Sequence, residues 1–128
     1  MDEPSIAELM GQMHRHAVTA PIAEIALFMQ ELLSRQLVAK IAGVNGKSVT
    51  RWATGEITEI REPVTEQRLR ASYEIAQLLL GSDSPQTVRA WFIGLNPNLH
   101  DISPVDAIAD GNLKDVLAAA RAFAMSGQ

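Results

Sequence analysis

Apolar positions recur at helical spacing along almost the whole chain. Ser5, followed three residues later by Glu8, forms a capping box, and Ile6, Leu9, Met10 and Met13 then fall at i, i+3, i+4 and i+7. That pattern predicts a short amphipathic helix. Pro21 suits a first helical position, and Ile22, Ile25, Ala26, Met29, Leu32 and Leu33 carry an apolar stripe over three turns, predicting a second helix. Residues 35–54 predict two short helices ended by Gly55. After the polar connector EITEIRE, Pro63 opens a long helix to Leu80, with Leu69, Tyr73, Ala76 and Leu80 on one face. Ala71, Ile75, Leu78 and Leu79 widen that face, which suits a spine between two lobes or half of a dimer contact.

The remainder repeats one grammar. Ser84-Pro85 and Ser103-Pro104 each set a capping side chain before a proline at the first helical position, and Gly94 and Gly111 are placed to close those helices. Asn112 can cap a last helix whose stripe is Leu113, Val116, Leu117, Ala120, Phe123 and Ala124, with Asp115 in its first turn. Val and Ile are scattered at helical spacing rather than alternating with polar residues, so no strand is predicted. The expected class is all-α.

Composition narrows the function. With 128 residues and 47% hydrophobic content the chain can bury a real core. The absence of cysteine removes disulfides, thiolate catalysis and Cys-ligated zinc. The start, MDEPSIAELM, is acidic and is no secretory signal, and no run of about 18 apolar residues exists, so a soluble cytoplasmic protein is expected.

Residues 35–55, RQLVAKIAGVNGKSVTRWATG, carry the pattern of a helix-turn-helix. Val38, Ile41 and Ala42 give the first helix an apolar edge, Ala39 permits close approach, Gly43 suits a left-handed turn, and Val44 plugs the corner. In the second helix Val49, Trp52 and Ala53 face inward, which turns Lys47, Ser48 and Arg51 outward. Those side chains, with Gln36 and Asn45, are the candidate DNA-binding residues, because Lys and Arg pair with guanine and Ser with several base edges. From Arg35 to Arg51 there are four bases, Arg35, Lys40, Lys47 and Arg51, and no acid. A net charge of -4 does not forbid DNA binding, since the presented face decides once acids lie beyond the screening length of ~8 Å. From spacing alone, a plain helical corner remains the alternative reading.

Other constellations do not rise. His14 and His16, two apart, point in different directions and suit solvent better than a shared metal. His100 beside Asp101 suits loop capping, with no nucleophile motif to complete a catalytic set. Asp106 and Asp110 suit helix ends. GVNGKS lacks the first glycine of a phosphate-binding loop, for which Ile41 stands. No enzyme activity, metal or cofactor is expected.

AKIAGVNGKSVTRWATGE resembles the Xre-type helix-turn-helix, and the region after it resembles the toxin-binding domain of the Xre/MbcA/ParS antitoxins. The matching features there are Ala90-Trp91, Asn96, Leu99, Pro104 with Asp106, Gly111, and Val116 to Phe123. The similarity covers about residues 35–128. It implies a small, often dimeric antitoxin that represses its own operon by binding double-stranded operator DNA and neutralises a toxin encoded beside it. The implied toxin is a RES-domain enzyme that degrades NAD, or a related ADP-ribosyltransferase, whose active site the antitoxin's C-terminal portion blocks. On this chain the blocking residues would be Arg121, Met125, Ser126, Gly127 and Gln128. Gly46, at the start of the recognition helix, departs from the expectation of a base-reading side chain there. The implied organisation is an N-terminal helical extension (1–20), a DNA-binding lobe (21–62) and a toxin-binding, dimerising lobe (63–128). A stand-alone helix-turn-helix regulator without a toxin is the alternative.

Overall fold

The computed structural model describes residues 3–126, and among them the fold is all-α. Eight helices follow in order among these residues: α1 (Ile6–Thr19), α2 (Ile22–Leu32), α3 (Arg35–Ala42), α4 (Gly46–Ala53), α5 (Pro63–Leu80), α6 (Pro85–Ile93), α7 (Pro104–Ala109) and α8 (Leu113–Ser126). A 3-10 turn, Pro97–Leu99, separates α6 from α7, and an isolated bridge pairs Asn96 with Ile102.

The caps predicted from Ser-Pro pairs form. Ser84 Oγ accepts from the Thr87 amide at 3.2 Å and Ser103 Oγ from the Asp106 amide at 3.1 Å, with Pro85 and Pro104 opening the helices. Ser5 Oγ likewise accepts from the Glu8 amide. Pro21 stands one place earlier than expected, as the cap of α2 rather than its first residue. His100 follows the 3-10 turn as its C-terminal residue in the left-handed region, φ 57°.

The long helix α5 is the spine. It packs against α1, α2, α3, α6, α7 and α8, and Leu69, Tyr73, Ile75, Ala76 and Leu79 are buried in one cluster with Ile25, Met29, Ile41, Phe92, Ile108 and Val116. Such a broad apolar face must be covered from several sides, which is what the surrounding helices do. Ser72 is buried too, and its hydroxyl donates to the Leu69 carbonyl at 2.8 Å, so its burial costs no unmet polar group.

Two arginines, Arg70 and Arg89, hold helices together at their C-terminal ends, where carbonyls lack intrahelical partners. Arg70 on α5 donates to the Ala17 and Ala20 carbonyls at the end of α1 and to Glu66 on its own helix. Arg89 on α6 donates to the Leu33 carbonyl at the end of α2. Arg68 lies between the ends of α3 and α7: a Cβ on Gly43 would stand 3.4 Å from its Nη1, and one on Gly111 3.7 Å from its Nη2.

The stripe expected to bury α1 stays largely open. Ala17 is the one residue of that helix that is buried, whereas Ile6 is 65% and Leu9 38% exposed. The helix is fastened to α5 chiefly by polar contacts, His14 Nδ1 donating to Glu74 at 2.7 Å and His16 Nε2 standing 2.9 Å from the Tyr73 hydroxyl. The two histidines are exposed and point to different partners, as their spacing requires.

Candidate functional site: a basic corner and an apolar end

The corner forms as the spacing predicts. Gly43 takes φ 75°, ψ 34°, and its amide reaches the Ala39 carbonyl at 2.9 Å, ending α3 in a left-handed cap that a side-chain-bearing residue resists. Val38, Ala39, Ile41 and Ala42 are buried on α3, as are Val49 and Trp52 on α4. This fixes which face of α4 is left for solvent. Lys47 and Arg51 are exposed there, while Ser48 is half-buried.

Asn45 caps α4, its Oδ1 accepting from the Ser48 amide at 3.0 Å and from the Ser48 hydroxyl at 3.3 Å. Both candidate residues therefore spend part of their hydrogen-bonding capacity on the helix start, keeping the Asn45 amide hydrogens and the Ser48 lone pairs for a ligand. Gln36 is exposed in the first turn of α3.

The acid-free run of sequence is not acid-free in space. Lys40 pairs with Asp106 of α7 at 2.5 Å, and Arg51 Nε lies 3.8 Å from Glu56. The Lys40 ammonium holds the Asp106 carboxyl below its ordinary range, with the Ser103 hydroxyl adding to the effect against a smaller desolvation. Lys47 and Arg35 have no carboxylate at salt-bridge distance among the described residues. The basic character of the corner thus rests on Arg35 and Lys47, with Arg51 partly offset.

The chain is similar in fold to a protein solved as part of a toxin-antitoxin complex. The match is to a chain of the crystal structure of the M. tuberculosis MbcT-MbcA toxin-antitoxin complex, with a TM-score of 0.68 and 26% identity, covering 81% of this chain and 94% of that one. No family model matches the chain, and the search of curated proteins returned no match.

The second candidate region is α8. Arg121 is exposed and borders a groove with Ala7, Met10, Gly11, His14, Glu74 and Leu117. Ser126 instead borders a recess of about 390 Å³ with Trp91, Leu95, Asn96, Ala119 and Phe123, its hydroxyl donating to the Phe123 carbonyl at 2.9 Å. Five residues apart on a helix turn through about 140°, so Arg121 and Ser126 open on different sides of α8. Met125 is 63% exposed, and Gly127 and Gln128 lie outside the described residues.

Two apolar side chains at the C-terminal end of α6, of which Leu95 lines that recess, were not singled out from the sequence. Leu95, two residues past the end of α6, is 77% exposed and Ile93, the last residue of α6, 48% exposed. A leucine in the polar run GLNPN was the available signal, since a loop of such composition gives it nothing of its own to pack on.

Among the described residues no group of three or more His, Asp and Glu side chains is placed to hold a metal ion, and no helix is long and apolar enough to cross a membrane.

Proposed function

We propose that this chain is an antitoxin: a non-enzymatic helical protein that neutralises a toxin encoded beside it and represses their shared operon. The observation that carries the proposal is the fold similarity to a chain of a toxin-antitoxin complex, which takes in nearly all of that chain.

In this reading α3 and α4 form a helix-turn-helix, with α4 entering the major groove of operator DNA and Lys47, Ser48, Arg51, Asn45 and Gln36 toward the duplex. The basic corner supports it, because Lys47 stands exposed and without an acidic neighbour among the described residues. Two protomers on half-sites about 34 Å apart would compensate for the modest charge each one offers.

The toxin face belongs to residues 63–128, and the partner is a RES-domain enzyme that degrades NAD or a related ADP-ribosyltransferase. The exposed Leu95, Ile93 and Met125 support a docking role, since an apolar side chain held in water gains on association. Arg121 is then available for the acidic or phosphate-binding surroundings of an NAD pocket. The recognition helix and α8 rest on different neighbours, α4 on α2 and α3, and α8 on α5, α7 and the 3-10 turn, while α3 of the corner shares α5 and α7 with α8.

The test is direct. The product of the adjacent reading frame, purified with this protein, is expected to co-elute from a sizing column as one complex, and the complex is expected to retard DNA from upstream of the pair. Separate elution at micromolar concentration overturns the antitoxin reading, and no retardation by the free protein or the complex at low salt overturns the DNA reading.

A further inference from the structure

Gly46 opens α4 at a place where a side chain for reading bases is expected, and it carries none. The space is not empty. A Cβ on Gly46 would lie 2.9 Å from Arg35 Nε, 3.2 Å from its Cζ and 3.4 Å from its Nη2. The guanidinium of Arg35, from the first turn of α3, thus occupies the volume that a residue 46 side chain would start from.

It is also anchored there. Arg35 Nη1 donates to Thr50 Oγ1 at 3.0 Å, and the Thr50 hydroxyl donates its own proton to the Gly46 carbonyl at 3.2 Å. The hydroxyl uses its hydrogen on the backbone and its lone pair on the arginine, so the two bonds do not compete. One Nη1 hydrogen and both Nη2 hydrogens stay free, and no carboxylate reaches Arg35 among the described residues. Lys40, by contrast, is committed to Asp106.

We propose that Arg35 is a specificity-determining residue of the DNA face, reading a guanine edge from the position Gly46 leaves open. The proposal rests on the DNA-binding reading above. Residues at the start of a recognition helix meet base edges, and a planar fork held in one orientation matches the O6 and N7 acceptors of guanine. Gly46 is then no departure from a reading helix, because the reading group is supplied by the neighbouring helix.

The experiment takes the whole protein through rounds of binding to a pool of duplexes with a randomised centre, sequences what is retained, and titrates the selected duplex across salt. Wild type is compared with Arg35→Lys, which keeps the charge and loses the fork, with Thr50→Val, which removes the anchor, and with Gly46→Ala, whose methyl displaces the guanidinium. Circular dichroism checks that each variant is folded. Wild type is expected to enrich guanine at one position of each half-site. Arg35→Lys is expected to lose about tenfold or more of the discrimination there, with other positions and the salt slope unchanged, and the other two variants to weaken the same position. Unaltered preference in Arg35→Lys overturns the inference. Uniform weakening across sequences overturns it too, marking a phosphate contact. Failure of wild type to bind any duplex overturns the DNA reading itself, a result distinct from either.

Discussion

Arg70→Met separates the fastening of α1 from the stability of the whole. Arg70 is half-buried, its side chain 19% exposed, and it donates to the Ala17 carbonyl at 2.9 Å and the Ala20 carbonyl at 2.8 Å. Methionine keeps the apolar stem and removes both bonds, together with the pair to Glu66 within α5, which as an i, i+4 helix pair adds only about 0.3–0.5 kcal/mol. A hydrogen bond involving a charged group contributes about 1.5–3 kcal/mol net, so two at the low end come to roughly 3 kcal/mol, with the freed carbonyls regaining water as the helix lifts. Since α1 buries only Ala17, the loss falls on local opening of that helix rather than on the core around α5. Native-state hydrogen exchange followed by mass spectrometry reads this directly. Amides in the second half of α1 are expected to exchange on the order of a hundredfold faster, with those of residues 69–79 holding their protection. Equal acceleration in both helices, or none in α1, refutes the view that Arg70 fastens α1 locally.

Three further outcomes follow from the backbone and the charges. Gly43→Ala is expected to cost about 1–2 kcal/mol in urea unfolding from its left-handed φ of 75°. Gly55→Ala, at φ 79° with nothing within 4 Å of a Cβ, should cost about the same, because the 3.4 Å approach of a Cβ on Gly43 to Arg68 Nη1 is ordinary van der Waals contact. Ser34, at φ 135° and ψ 160°, holds a conformation suited to glycine at a strain of about 1–3 kcal/mol, against a few tenths for losing its cap to Leu37. Ser34→Gly is therefore expected to raise the melting temperature, and a lower one refutes the strain. Asp106 has a depressed carboxyl, so its contribution is present above the unfolded value of about 3.9 and is lost as pH falls through the lower folded value. Asp106→Asn should flatten that part of the acid unfolding profile, and an unchanged profile would show that the Lys40 pair contributes nothing.

Local chemistry was legible from the sequence where a short stretch decides the outcome. Ser84-Pro85 and Ser103-Pro104 start helices because capping and a fixed proline φ need no distant partner, and Gly43 turns the corner for the same reason. Contacts between distant segments were not legible. Lys40 counts as a free base along the chain until α7 brings Asp106 beside it, and Arg68, Arg70 and Arg89 look like surface charges until they are found at helix ends. The α1 stripe has the spacing of a buried face, yet the polar seats at Glu74 and Tyr73 hold that helix with Ile6 and Leu9 in water. On α8, Arg121 and Ser126 are near in sequence but divided by the helical period.

The proposed neutralisation through the C-terminal end is measured by growth rescue. The neighbouring gene product is induced alone, with the wild-type protein, and with variants Leu95→Ser, Met125→Ser and Arg121→Glu, substitutions at exposed positions that leave the core intact. Growth arrest by the neighbour alone, full rescue by wild type, and weakened rescue by at least one of the three single variants at equal protein level are expected. Rescue by all three at the wild-type level contradicts a toxin face on α8 and the α6 end, and arrest that persists with the wild-type protein contradicts the antitoxin assignment.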